Sequence, residues 1–181
     1  MISSEEFDLF VKKTIEAFTQ AGIVLTQKEK ERIEVTDFGL GDIKKIGLNI
    51  LTYVNTERVC AKEMYLIPFQ TCPEHMHIDV SALDGKEETF RCRRGKVYLY
   101  VPGGDLKNIK AVLPKTKITA FKEIELNEGD QYTLYPNTLH WFQAGKDGAI
   151  ISEFSTKSSD ETDVFTDKRI IRIPKIKEIK C

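Results

Sequence analysis

The chain has 181 residues, with 27 basic against 28 acidic side chains. That length suffices for one domain with a well-buried core. The near-neutral balance gives no uniform field to draw nucleic acid or an anionic membrane. No apolar run approaches the roughly 18 residues of a membrane span, and the acidic start Met1-Ile2-Ser3-Ser4-Glu5-Glu6 lacks the layout of a secretion signal. The four cysteines (Cys60, Cys72, Cys92, Cys181) are widely spaced and form no C-x-x-C pair. They read as reduced, mostly buried thiols of a cytoplasmic protein.

Residues 3–34 read as helical. Ser3 or Ser4 can cap a segment with an apolar stripe at Phe7, Phe10, Val11, Ile15 and Phe18, closed by Ala21-Gly22. Thr26 opens a second helix with Glu29 as its capping-box partner. From about residue 46, short runs rich in Ile, Leu, Val, Tyr and Phe alternate with turn signals. The expected strands are 47–54, 58–69, 88–92, 96–101, 118–126, 131–135, 139–144 and 149–155. Turns are expected at Pro102-Gly103-Gly104, Asn127-Glu128-Gly129-Asp130, Pro136-Asn137-Thr138 and Gly145-Lys146-Asp147-Gly148, among others. This pattern predicts an all-β core, an antiparallel sandwich or barrel. Residues 1–45 then form a helical segment packed on a barrel of residues 46–181, within a single domain. Arg169–Lys177 reads either as an extra edge strand, free to cross to a second subunit, or as a loosely held end.

All three histidines of the chain fall into one metal-ligand pattern: His75-x-His77, then Glu88, then His140. Two residues apart on an extended strand, His75 and His77 point to the same face. Glu88 adds an oxygen, and a distant strand returns His140. Imidazole with carboxylate suits a divalent first-row ion with positions left open for water or substrate. The competing reading is of scattered surface or satisfied core histidines. The turn residues around each motif favour the metal site.

These two segments resemble the two cupin motifs. The first is Pro73-Glu74-His75-Met76-His77 with Glu88-Thr89-Phe90-Arg91-Cys92-Arg93-Arg94-Gly95. The second is Gly129-Asp130 with Pro136-Asn137-Thr138-Leu139-His140-Trp141. The ten residues 78–87 between His77 and Glu88 exceed the usual cupin loop. The Glu-x6-Gly spacing to Gly95 selects Glu88 over Glu87. The resemblance implies a double-sheet (jelly-roll) barrel in which the three histidines and Glu88 share one ion. More closely, the chain resembles the cupin D-lyxose ketol-isomerases. The stretches that carry this include Asp37-Phe38-Gly39-Leu40-Gly41, Gln70-Thr71-Cys72-Pro73-Glu74-His75, His140-Trp141-Phe142-Gln143-Ala144-Gly145 and Phe165-Thr166-Asp167.

The closer resemblance implies an aldose–ketose isomerase of a free sugar such as D-lyxose, with Mn²⁺ as the ion. A barrel pairing common among cupins implies a homodimer. The chemistry needs a base outside the ligand set, and Lys62, Glu153 and Glu74 are the candidates. A lysine, with a free pKa of about 10.4, must be depressed to act so; otherwise it is a charged donor. Glu74, Arg91, Arg93 and Gln143 are candidates for binding sugar hydroxyls. Trp141 and Phe142 read as barrel core, and Cys92 as a small apolar filler on the face of Glu88. Two rivals remain: an Fe²⁺ cupin dioxygenase with the same ligands, and a non-catalytic sugar-binding cupin.

Overall fold

The computed structural model describes residues 2–79, 85–173 and 176. Helix α1 (Ser4–Gln20) begins at a capping box: Ser3 Oγ accepts from Glu6 N, and Glu6 Oε2 accepts from Ser3 N. Its buried residues Phe10, Thr14 and Phe18 recur every four positions, so one stripe faces inward. That stripe packs with Ile33, Val35, Leu51 and Ile150 on the outside of a sheet. A second box at Thr26 starts α2 (Gln27–Lys30), which lasts only one turn. Helix was expected as far as residue 34, but the chain enters β1 (Glu34–Thr36) there. None of the helices among the described residues is long and apolar enough to cross a membrane.

The remaining strands are β2 (Leu48–Asn55), β3 (Cys60–Leu66), β4 (Thr71–Met76), β5 (Glu88–Val101), β6 (Lys122–Asn127), β7 (Gln131–Leu134), β8 (His140–Ser155) and β9 (Val164–Phe165). They run β1-β2-β3-β8-β4-β9, while β5 pairs with β6, β7 and β8, and every strand pair is antiparallel. The curled sheet encloses a core that includes Ile50, Met64, Leu66, Phe90, Cys92, Leu99, Phe142 and Ile151. Each large side chain there contributes roughly 1.5–3 kcal/mol by leaving water. This is the double-sheet cupin barrel.

Two expected breaks are bends instead. Runs 88–92 and 96–101 are one strand, β5, and 139–144 joins 149–155 in β8. Gly95 (φ +78°) and Gly148 (φ +80°) face each other where both strands turn from one layer to the other. A Cβ on Gly95 would lie 2.2 Å from the Gly148 carbonyl oxygen, so only glycine lets the backbones approach. Strands β4 and β9 were not among the expected runs. Arg169–Ile173 forms no strand: Ile171 N donates to Phe38 O, and Arg172 pairs with Glu34 and Asp160. Residues 174, 175 and 177–181 lie outside the described residues, Cys181 among them. Cys60, Cys72 and Cys92 are buried free thiols.

Candidate metal centre

Two strands bring the histidines together. His75 near the end of β4 is paired with His140 at the start of β8, and His77 follows just beyond β4. The Pro136-Asn137-Thr138 turn sets this register. Asn137 adopts φ +62°, its N–H donates to His77 O, and its amide donates to Asp79. One candidate ligand nitrogen from each of the three rings lies within 4.8 Å of the others. Glu88, opening β5, places Oε1 3.1 Å from both His77 Nε2 and His140 Nε2. All four side chains are buried.

Each imidazole is oriented through its other nitrogen. His75 Nδ1 lies 2.9 Å from Pro73 O, and His140 Nδ1 lies 2.9 Å from Thr138 O. A carbonyl can only accept, so both Nδ1 atoms carry the proton and both Nε2 atoms keep a free lone pair. His77 Nδ1 is 2.5 Å from Asp163 Oδ1. Such outer partners fix the ring and raise its basicity as a ligand. His140 Nε2 is fully buried and makes no hydrogen bond in acceptable geometry. Its lone pair and that of Glu88 oppose each other across 3.1 Å. A cation between them would satisfy both, so three imidazoles and one carboxylate fit a divalent first-row ion.

Burial and the neighbouring charged groups set the protonation of the cluster. Burial, helped by the neighbouring His140 and His77, pushes His75 well below the usual histidine range. Burial opposes charge on His77 too, but the Glu88 and Asp163 carboxylates outweigh it and raise His77 to about 9. Glu88 resists burial because Lys86 and His77 hold it ionised, well below the usual carboxylate range.

Beyond the histidines runs a buried ladder of alternating charge. Lys86 Nζ is 2.6 Å from Glu88 Oε2 and 3.1 Å from Glu153 Oε1. Glu153 Oε1 is 3.6 Å from Lys62 Nζ, which lies 2.9 Å from Asp160 Oδ2. Arg172 closes the ladder at 2.8 Å from Asp160 and pairs onward with Glu34. The pocket walls include Phe38, Leu48, Met64, Phe90, Phe142 and Phe165. An adjoining cavity that shares His77, Lys86 and Asp163 forms an entrance with Arg58, Thr156, Ser159 and Thr162 on its wall.

Lys62 and Glu153 face each other across the β3–β8 pair and both point into this pocket. Burial disfavours the Lys62 ammonium, yet Glu153 and Asp160 raise its pKa above the ordinary lysine value. A raised pKa favours the charged-donor role expected for Lys62 over the role of base.

The structure places the other expected sugar contacts away from the histidine cluster. Glu74 is fully buried but faces away from the histidines: it accepts from Thr119 N, Ala120 N, Thr119 Oγ1 and Thr166 Oγ1 at 2.7–2.9 Å. Its carboxylate ties the Thr119–Ala120 segment and Thr166 to β4. Gln143 is spent on Val112 and Thr71 outside the metal pocket. Arg91 and Arg93 lie exposed on the outer face of β5, because that strand buries Glu88, Phe90 and Cys92 and exposes the residues between. Trp141 stacks on Tyr100 in a separate apolar cluster, and Phe142 and Cys92 lie in the main core. Lys86, Asp160, Asp163 and Arg172 were not anticipated. Lys86 shares strand parity with Glu88, a signal that was available; the other three come from the coil after β8.

Residues 108–180 match the family model described as D-lyxose isomerase. The D-lyxose/D-mannose isomerase of Thermosediminibacter oceani is 55% identical over 98% of this chain and 100% of its own length. The D-lyxose ketol-isomerase of Cohnella laeviribosi is 52% identical over 91% of this chain and 92% of its own. The chain belongs to the D-lyxose isomerase family. It is therefore an aldose–ketose isomerase, and the dioxygenase and non-catalytic readings fall away. The solved L-ribose isomerase of Cellulomonas parahominis shares the fold, with a TM-score of 0.72 at 16% identity, covering 93% of this chain and 94% of that one.

Proposed function

We propose that this D-lyxose isomerase family member interconverts D-lyxose and D-xylulose at a Mn²⁺ site formed by His75, His77, Glu88 and His140. The observation that carries the reading is the buried, partnerless His140 Nε2 facing Glu88 Oε1. When bound, the ion supplies Lewis-acid stabilisation of negative charge on the substrate oxygens. The chain's own residues supply the rest. The reaction moves one hydrogen from C2 to C1, and one proton from the C2 hydroxyl to the C1 oxygen. Glu153 is the general base. Its Oε1 accepts from Lys86 and from Ser155, which aims the carboxylate into the pocket. It takes the C2 proton and returns it at C1. Lys62 and Lys86 remain ammonium groups that hold Glu153 in place. The aromatic and aliphatic walls keep bulk water from an enediol.

The chain acts as a homodimer in the cytoplasm; the buried free thiols of Cys60, Cys72 and Cys92 support a reducing compartment. Glu153→Gln tests the assignment of the base. Its kcat should fall by roughly 10²–10⁴, with deuterium uptake from D₂O into the sugar falling in step. A kcat within tenfold of wild type would remove Glu153 from the chemistry.

A further inference from the structure

Beside the β3–β4 turn lies a second cavity, of about 680 Å³, within the usual size of a small-molecule site. It shares no residue with the metal pocket: Cys72 and Phe142 face the metal pocket, while their neighbours Thr71 and Gln143 face this cavity. Two tethered loops form its walls. Thr71 N donates to Lys45 O and Gly47 N donates to Thr71 O, which ties residues 42–46 to β4. Gln143 ties the other loop, accepting from Val112 N at 2.8 Å and donating to Val112 O at 2.7 Å. Further along, Arg169 donates to Lys115 O and Lys117 N donates to Asp167. Between these ties, apolar side chains stay in water: Val112 is 61% exposed, Leu113 53% and Phe69 47%. Phe69 is held there at φ +60°, a conformation that a bulky residue adopts only under constraint. Apolar side chains gathered around one cavity mark a binding site, unlike single exposed residues scattered over a protein.

Two features give the chemistry of the occupant. The first is charge. Lys44, Lys45, Lys115 and Arg169 line the cavity against one carboxylate, Asp42. Asp42 pairs with Lys45, and Arg169 pairs with Asp167. Among the described residues, neither Lys44 nor Lys115 enters an ion pair. The second is Thr116, which is buried at the cavity wall with a hydroxyl that has no hydrogen-bond partner among the described residues. Buried polar atoms are partnered as a rule, so this hydroxyl marks the place of a missing acceptor. It follows Lys115 in the chain, and both line the cavity. We propose that this cavity binds an apolar monocarboxylate, a medium-chain fatty acid, with its chain between the two loops and its carboxylate toward Lys115 and Thr116. A sugar would leave the apolar walls uncovered. A second copy of this chain, placed about a two-fold axis through the groove, would set one cationic rim near the other. Residues 174–181 carry Lys175, Lys177 and Lys180 against Glu178 and meet the same repulsion.

Decanoate is the probe, titrated calorimetrically at pH 7 into the Mn²⁺-loaded full chain equilibrated with D-lyxose, so that sugar fills the metal pocket. One decanoate should bind per chain, about fourfold tighter than nonanoate, the factor that one buried methylene supplies. Decanol, which lacks the charge, should bind more weakly by at least about fivefold at low salt. Lys115→Glu, a change at an exposed side chain, should weaken decanoate by at least about fivefold and leave decanol within about threefold. Its kcat/KM for D-lyxose should match wild type. Thr116→Val keeps the side-chain shape and has no hydrogen bond to lose. It should leave Tm in place and weaken decanoate by about threefold or more. Absence of decanoate binding at millimolar concentration would overturn the proposal. So would equal affinities for decanoate and decanol, indifference to Lys115→Glu, or binding that appears only when sugar is withheld.

Discussion

The reassignment of Glu74 from sugar ligand to structural tie has a quantitative consequence. Its carboxylate, with no exposed surface, satisfies the buried backbone N–H groups of Thr119 and Ala120 together with two threonine hydroxyls. Glu74→Ala strands both amides, and each unpaired buried donor costs about 1–3 kcal/mol. With a vacated side-chain volume added, the loss is about 4 kcal/mol. For a chain of this size, 1 kcal/mol shifts Tm by about 2–4 °C, so the melt should move down by about 8–16 °C. Glu74→Gln keeps a carbonyl for the two amides, and the threonine hydroxyls can rotate to accept from its NH₂. It should lose less than half as much stability and keep KM within about threefold, because the side chain does not line the pocket. Circular dichroism melts with steady-state kinetics on the folded enzyme decide the matter. A Glu74→Gln variant that melts like wild type but has lost its affinity for sugar would refute the reasoning and return Glu74 to the site.

Two further outcomes follow from the partners of the ligands and of the charge ladder. Asp163→Asn keeps an acceptor for His77 Nδ1 but removes the carboxylate, and should weaken Mn²⁺ binding by roughly 10–100-fold; unchanged affinity by calorimetric titration would show that Asp163 does not tune the site. Asp160 is half-buried; burial opposes its charge, but Lys62, Lys86 and Arg172 hold its carboxyl well below the usual carboxylate range. A depressed folded-state pKa gives stability that is complete above the unfolded value of about 3.9 and is lost as pH falls below it. Asp160→Asn should therefore be less stable at pH 7 by up to about 3 kcal/mol and show a shallower loss as pH falls below about 4. Parallel acid limbs for the two proteins would contradict the pairing.

The cluster of three histidines with Glu88 was legible because its chemistry sits on short, rigid spacings: His75 and His77 on one face, Glu88 at a strand start, His140 after a Pro-Asn turn. The side chains expected to bind sugar lie outside the histidine pocket because of parity, which a one-residue difference inverts. Glu74 precedes His75 by one residue and so faces the other way. Arg91 and Arg93 alternate with Glu88, Phe90 and Cys92, so the strand itself placed them outside the barrel. Gln143 likewise alternates with His140 and Phe142. Asp160, Asp163 and Arg172 left no such trace. They reach the pocket from irregular chain; Asp163 meets His77 across 86 residues, and Asp160 meets Lys62 across 98. Periodicity cannot report contacts of that range. The turn signals at Gly95 and at Gly145–Gly148 were real but were read as chain reversals, whereas Gly95 and Gly148 let long strands bend between layers.

The central claim is that sugar isomerisation here depends on an ion held by three histidines and Glu88. The direct measurement is turnover of D-lyxose to D-xylulose by metal-stripped protein, with and without added Mn²⁺, in the absence of oxygen. Ketose formation that appears only with Mn²⁺, and needs no oxygen, is the predicted result. Equal turnover by thoroughly stripped protein would contradict the account.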